Sequence, residues 1–309
     1  MQPFITNHDR KLVEALQASA LYRGYQEAFR LATGMSMFLR LGQTEQIPRE
    51  SERGQQNGFC QALSCSALCA QACAAAHNRL RAQEAGGEKG CSGSCFARMM
   101  ETAVPLRCGG SVIAWLWTGQ MFMQDAGRRS FNEVAAILKD AGCDGVETER
   151  LHQLWKATPA LSAEKYRGVV VLLEAFARQL GDFANRLVIE ARPQEPAAVT
   201  KARRFIRENL TERLTLEDVS RHSGLSPHHF CKVFRKSAGV NLIEYINRCR
   251  VECAKQLLLK HDARVSEVAF EIGYQSLSQF NRSFRNVTGE SPTQFRQRLL
   301  KPTALKRAA

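Results

Sequence analysis

The C-terminal third of the chain repeats itself. When residues 215–245 are laid on residues 264–295, Val219 meets Val268 and Gly224 meets Gly273 at an offset of 49. After one extra residue in the second turn, Ser226 meets Ser276, Phe230 meets Phe280, Phe234 meets Phe284, Gly239 meets Gly289 and Tyr245 meets Phe295 at an offset of 50. Seven matches in order specify two copies of one structural unit. Each copy reads as helix, tight glycine turn, second helix. In the first, a short helix carrying Leu216 and Val219 stops at Gly224-Leu225, Ser226 caps the next helix and Pro227 takes its first position. In the second, Ser276 and Gln279 form the S-x-x-Q pattern, in which cap and side chain satisfy each other's backbone donors. This is a helix-turn-helix signature, present twice.

The outer faces of the second helices carry the chemistry. Phe230, Val233 and Phe234 lie at i, i+3 and i+4 and face a core, which leaves His228, His229, Cys231, Lys232 and Arg235 on other faces. In the second copy Phe280 and Phe284 point inward, and Ser278, Gln279, Asn281, Arg282 and Arg285 are free to point out. Gln and Arg make bidentate contacts to base edges. Two helices at a bend are more often structural than DNA-reading, and charge decides the matter. Residues 191–309 hold 22 Lys and Arg against 11 Asp and Glu, whereas residues 1–190 hold 21 against 19. Most of the net charge of +13 therefore lies with the repeat, an electrostatic footprint for a polyanion such as nucleic acid.

A chain of 309 residues exceeds the size at which single cores stop growing, roughly 250–300 residues, so a second domain precedes the repeat. Apolar positions at helical spacing over residues 10–33 predict a helix that stops at Gly34. Residues 35–41, 103–107 and 111–123 read as strands, the last two forming a hairpin through Gly109-Gly110. Residues 59–80 are rich in Ala and Cys, and residues 129–140 and 146–157 read as short amphipathic helices. This half is α+β, and the repeat is all-α. From Tyr166 the apolar residues Val169, Leu173, Phe176, Leu180, Phe183 and Leu187 follow at alternating steps of 3 and 4, the spacing of a coiled-coil seam; Val170, Val171 and Leu172 broaden that face, as an ordinary helix lying on a core would. Two prolines within residues 192–196 mark an extended connector. The longest uninterrupted apolar run, Val112 to Trp117, is far below the ~18–20 residues of a membrane span, and the N-terminus lacks a signal-peptide pattern. A cytoplasmic protein with no membrane partner is expected.

Residues 199–300 resemble the DNA-binding domain of the AraC/XylS family of bacterial transcription regulators. The likeness is carried by Ile206, Leu216 to Val219, Gly224-Leu225-Ser226, Phe230 with Phe234, Gly239, the pattern Arg250-x3-Ala254-x2-Leu257-Leu258, Gly273-Tyr274-x-Ser276, Phe280-Asn281-Arg282-x-Phe284-Arg285, and Gly289-x-Ser291-Pro292-x2-Phe295-Arg296. It implies recognition helices starting at Pro227 and Leu277, joined by a long helix near residues 241–259, that enter adjacent major-groove segments. It assigns base reading to His228, Cys231 and Lys232 and to Ser278, Gln279 and Arg282, although Cys231 stands where a longer polar side chain would donate better. Residues 12–155 resemble the PocR sensory domain, a PAS-like module, through Asn57-Gly58-Phe59-Cys60, Cys95, Ala103-Val104-Pro105-Leu106, the hairpin and Thr118-Gly119-Gln120-Met121-Phe122. That likeness implies a sensor of small organic molecules such as short alcohols or diols, with Trp115, Trp117 and Met121 as candidate pocket residues. The expected layout is a sensory domain over residues 1–160, a coiled-coil signalling and dimerisation helix over 161–191, a linker over 192–198, the DNA-binding domain over 199–300 and a basic tail over 301–309. The expected partners are promoter DNA, RNA polymerase, a small organic effector and a second copy of the chain.

Seven of the eleven cysteines, Cys60, Cys65, Cys69, Cys73, Cys91, Cys95 and Cys108, lie within 49 residues. Cys65, Cys69 and Cys73, with His77 continuing the step of four, would stand along one helix face. There they share a metal or iron–sulfur cluster, respond to oxidation, or fill a core as small hydrophobes. A redox- or metal-sensing regulator is thus the alternative to an organic-ligand sensor. An enzyme with a thiolate nucleophile, as in methyl-accepting repair regulators, needs an activated Cys near a base or metal; no C-x2-C pair supports it, and a non-enzyme is expected.

Overall fold

The computed structural model describes residues 6–41, 56–64, 66–82, 90–124, 131–140, 148–190, 195–260 and 263–300. Cys65, most of the proline connector and the basic tail lie outside them. The chain divides into two compact units, residues 1–107 with 112–181, and residues 108–111 with 182–309. No helix among the described residues is long and apolar enough to cross a membrane.

The first unit opens with α1 (Asn7–Ala18) and α2 (Ala20–Thr33). The single helix expected here is broken at Ser19, whose backbone is extended and whose hydroxyl accepts from the Tyr22 N–H, ending one helix and capping the next. Gly34 ends α2 in the left-handed conformation. There follow β1 (Met37–Arg40), α3 (Gly58–Leu63), α4 (Ala67–Ala82), β2 (Cys91–Ser94), β3 (Met100–Cys108), β4 (Ser111–Met123), α5 (Phe131–Asp140), α6 (Thr148–Ala157), β5 (Ala160–Leu161) and α7 (Ala163–Ile189). The sheet runs β1-β4-β3-β2, with β1 antiparallel to β4, β2 antiparallel to β3, and β5 parallel to β4. The outer edge of β1 is covered by side chains: Leu39 N–H donates to Tyr22 Oη, while Gln17 and Gln26 donate to the Leu39 and Met37 carbonyls. Phe59, Leu63, Met99, Phe122, Phe131 and Trp155 form one apolar cluster, and Phe38, Leu80, Ala103, Trp115 and Trp117 another.

β4 is kinked at Gly119-Gln120, both at positive φ (136° and 59°). A side chain at position 119 would collide with the Met100 carbonyl oxygen, so only glycine fits. Gly119→Ala is expected to lower stability by about 1–3 kcal/mol, read as a loss of melting temperature.

Most of the 3,4-spaced seam of α7 is buried within the chain itself, with Phe183 and Leu187 half-buried. Tyr166, Val169, Leu173, Phe176 and Leu180 are all inside the first unit. The Phe176 ring stacks on Tyr25 at 3.6 Å, and Tyr166 Oη shares a 2.6 Å hydrogen bond with Thr102. The large apolar residues that α7 leaves exposed are Val171 and Leu172.

The second unit contains α8 (Ala197–Glu208), α9 (Leu216–Ser223), α10 (Pro227–Ala238), α11 (Leu242–Leu258), α12 (Val265–Glu271), α13 (Leu277–Thr288) and α14 (Pro292–Leu300). The sequence repeat is an aromatic repeat in space. Phe230 lies 5.2 Å from Phe234, and Phe234 lies 5.3 Å from Tyr245; the matched rings Phe280, Phe284 and Phe295 are spaced 5.6 and 5.5 Å.

Candidate nucleic-acid interface and sensor cavity

α10 and α13 are set by the same local rules. Each ends at a glycine in the left-handed conformation, Gly239 and Gly289, and each buries two phenylalanines one turn apart. The turns before them place Gly224 and Gly273 at positive φ; at Gly273 a side chain would run into the Thr211 carbonyl. The caps differ from expectation. Ser226 stands at the N-cap, but its hydroxyl accepts no backbone bond, and Pro227 at the first position fixes the entry instead. Ser276 accepts from the Gln279 N–H at 3.2 Å, whereas the Gln279 side chain does not reach back. It stays exposed to solvent.

His228, His229, Cys231, Lys232 and Arg235 are all exposed on α10, and Ser278, Gln279, Asn281, Arg282 and Arg285 on α13. The buried cations of this unit do different work. Arg203 pairs with Glu195 at 2.9 Å, donates to the Val188 and Ile189 carbonyls at the end of α7, and lies over the Tyr245 ring. Arg250 donates to the Leu210 and Glu212 carbonyls and lies over Tyr274. Arg248 pairs with Glu244, and Lys255 with Asp182 and Glu252. These four hold the frame. In sequence they look like any other members of the basic set.

In the first unit the cysteines are dispersed into packing. Cys60, on α3, sits 3.5 Å from Met99 Sδ, and burial pushes its thiol well above the ordinary range. Burial together with the Glu101 carboxylate raises Cys73 and Cys95 to about 12, so all three stay protonated near neutral pH. Cys69 is fully buried and disulfide-bonded. Cys91 is half-buried on β2, and Cys108, the last residue of β3, is buried and belongs to the second unit. Among the described residues no three His, Cys, Asp or Glu side chains are grouped to hold a metal ion. His77, on α4, faces Glu101 instead, Nε2 to Oε2 2.8 Å, with both side chains buried and its ring 4.4 Å from Trp117.

A cavity of about 480 Å³ in this unit was not visible in the sequence. Arg23, Gln26, Glu27 and Arg30 line it from one face of α2, and Met35, Ser36, Met37, Gln56, Asn57 and Gln120 are among the residues that line the rest. Trp117 borders a smaller void beside Arg40, His77 and Glu101. Trp115 and Met121, expected at a pocket, are buried in the core and line neither.

The duplicated helix-turn-helix with outward polar faces defines a DNA-binding transcription regulator of the AraC type. A helix-turn-helix domain model matches residues 219–298, and the model of the sensory domain found in PocR matches residues 19–184. The chain belongs to the AraC-type regulators that carry this sensory domain. Regulatory protein PocR of Salmonella typhimurium is 26% identical over 223 residues, spanning 68% of this chain and 72% of that protein. The bifunctional transcriptional activator/DNA repair enzyme AdaA of Bacillus subtilis is 36% identical over 93 residues, which cover 30% of this chain and 44% of AdaA. Among solved structures, the C-terminal domain of AraT from Geobacillus stearothermophilus is 28% identical over 34% of this chain and 87% of its own, with a TM-score of 0.33.

Proposed function

We propose that the chain regulates transcription by reading promoter DNA with α10 and α13 in adjacent major-groove segments, and that its output changes when the N-terminal unit takes up a small organic molecule. The strongest support is the pair of outward faces on α10 and α13, free of internal bonds and mounted on matching aromatic triads. The N-terminal unit is taken as PAS-like, a sheet carrying helices, with the cavity beside α2 as the effector site. The chain is read as a binding protein and not an enzyme, because burial holds the Cys60, Cys73 and Cys95 thiols in the protonated form, a poor nucleophile. RNA polymerase in the cytoplasm is the expected partner on DNA.

Arg282→Ala in the full-length chain tests the reading. It is expected to cost about 1–3 kcal/mol at the specific site and to relax base preference there. Equal losses on specific and random duplexes, measured by gel shift, would remove Arg282 from the reading set. A homodimer belongs to the same proposal, with Val171 and Leu172 as the exposed apolar residues of α7. Val171→Glu with Leu172→Glu should then sediment as a monomer, and an unchanged dimer would place the contact elsewhere.

A further inference from the structure

The cavity beside α2 has a chemical bias. Its four α2 residues stand at i, i+3, i+4 and i+7, one continuous stripe. Two of them neutralise each other: Arg30 Nε and Nη2 donate to Glu27 Oε2 and Oε1 at 3.2 and 2.8 Å. Arg23 makes a single long bond, Nε to the Gln17 carbonyl at 3.4 Å, which leaves its terminal guanidinium nitrogens without a protein partner. Exposed on α2, it is the uncompensated charge among the described residues that line the cavity.

The amides point the same way. An amide side chain has one accepting and one donating end, and a backbone N–H can be met only by the accepting one. Asn57 Oδ1 accepts from the Phe59 N–H at 2.9 Å and from the Thr158 hydroxyl at 3.3 Å. Gln120 Oε1 accepts from the Asn57 N–H at 2.9 Å. Both amides are thereby oriented, and their NH₂ groups remain without a protein partner. Gln56 Nε2 is buried with no acceptor at all. Four residues from α2, the start of α3 and the kink of β4 thus contribute donors without a protein partner to one cavity; the Gln56 amide is the buried one, and a buried unmet donor is a standing cost that an acceptor removes. The accepting end of Gln26 is the exception, since its Nε2 is taken by the Met37 carbonyl. That end suits a hydroxyl on the same guest. A volume of about 480 Å³ admits a molecule of several carbons.

We propose that this cavity binds a small organic acid, its carboxylate met by Arg23 and its other oxygens by the amides of Gln56, Asn57 and Gln120. The assignment rests on the reading of the N-terminal unit as a sensor and replaces the neutral diol expected from family resemblance with an anion.

Calorimetry on the full-length chain tests it with lactate, 3-hydroxybutyrate and succinate, against the uncharged counterparts 1,2-propanediol, 1,3-butanediol and succinamide and against inorganic phosphate. At least one acid should bind tenfold or more tightly than its counterpart. Arg23→Gln should weaken that acid at least tenfold, Gln56→Leu should weaken it measurably, and Arg10→Gln, an exposed arginine outside the cavity, should leave it unchanged. Binding by none of the acids, tighter binding by a diol, binding by phosphate alone, or affinity indifferent to Arg23→Gln each overturns the proposal. A diol that binds and alters gel shifts would overturn the acid while leaving the sensor reading intact. Failure of ligand-free protein to shift any DNA would strike the regulator reading instead.

Discussion

Between 50 and 200 mM salt the affinity of this chain for duplex DNA is expected to fall by about 10³- to 10⁵-fold, the loss for a protein that neutralises about six to ten phosphates. The exposed cations available for this include Lys232 and Arg235 on α10 and Arg282 and Arg285 on α13. Arg203, Arg248, Arg250 and Lys255 are excluded, since they are buried and bound internally. The slope of log affinity against log salt should lie near −5 to −9, about −0.9 per phosphate. Fluorescence anisotropy across a salt series measures it, and a slope near zero would mean that the net charge of this unit serves something other than the DNA backbone.

Arg203→Ala is expected to destabilise the second unit by about 3–5 kcal/mol, the cost of breaking a buried ion pair by removing one partner. The Arg203 and Glu195 side chains are 3% and 1% exposed, so the abandoned carboxylate would have no water to turn to. The same guanidinium holds two carbonyls at the end of α7, which would lose their donor. Adding Glu195→Gln should recover part of the loss, because a neutral amide is less costly to leave unpaired than a charge. Urea unfolding of the two variants decides it; a single variant within about 1 kcal/mol of the parent would show that the pair contributes little.

The repeat was legible because its glycines, phenylalanines and cap positions each have one structural use, and two copies read together leave no freedom in the register. The hairpin strands were legible from their β-branched and aromatic runs. β2 was not: Cys91-Ser-Gly-Ser94 has no apolar alternation, and it becomes a strand through its pairing with β3. The α7 seam was legible as a pattern but ambiguous as a contact, since steps of 3 and 4 bring residues onto one face whether the partner is another chain or the chain's own α2 and sheet. The cavity was illegible for a related reason. Its donors come from residues 23, 56, 57 and 120, and their common bias exists only after backbone N–H groups have oriented two of the amides.

The two copies of the repeat are fastened differently at their starts. α9 opens on a reciprocal box between Thr215 and Asp218, while α12, only seven residues long, opens on Arg264, whose side chain caps nothing. A helix with its first donors satisfied resists fraying, and one without them yields more readily at that end. Matched as the two copies are in their buried aromatic rings, they differ in how their first helices begin, and the amide hydrogens of the first turn of α9 are expected to exchange more slowly than those of α12.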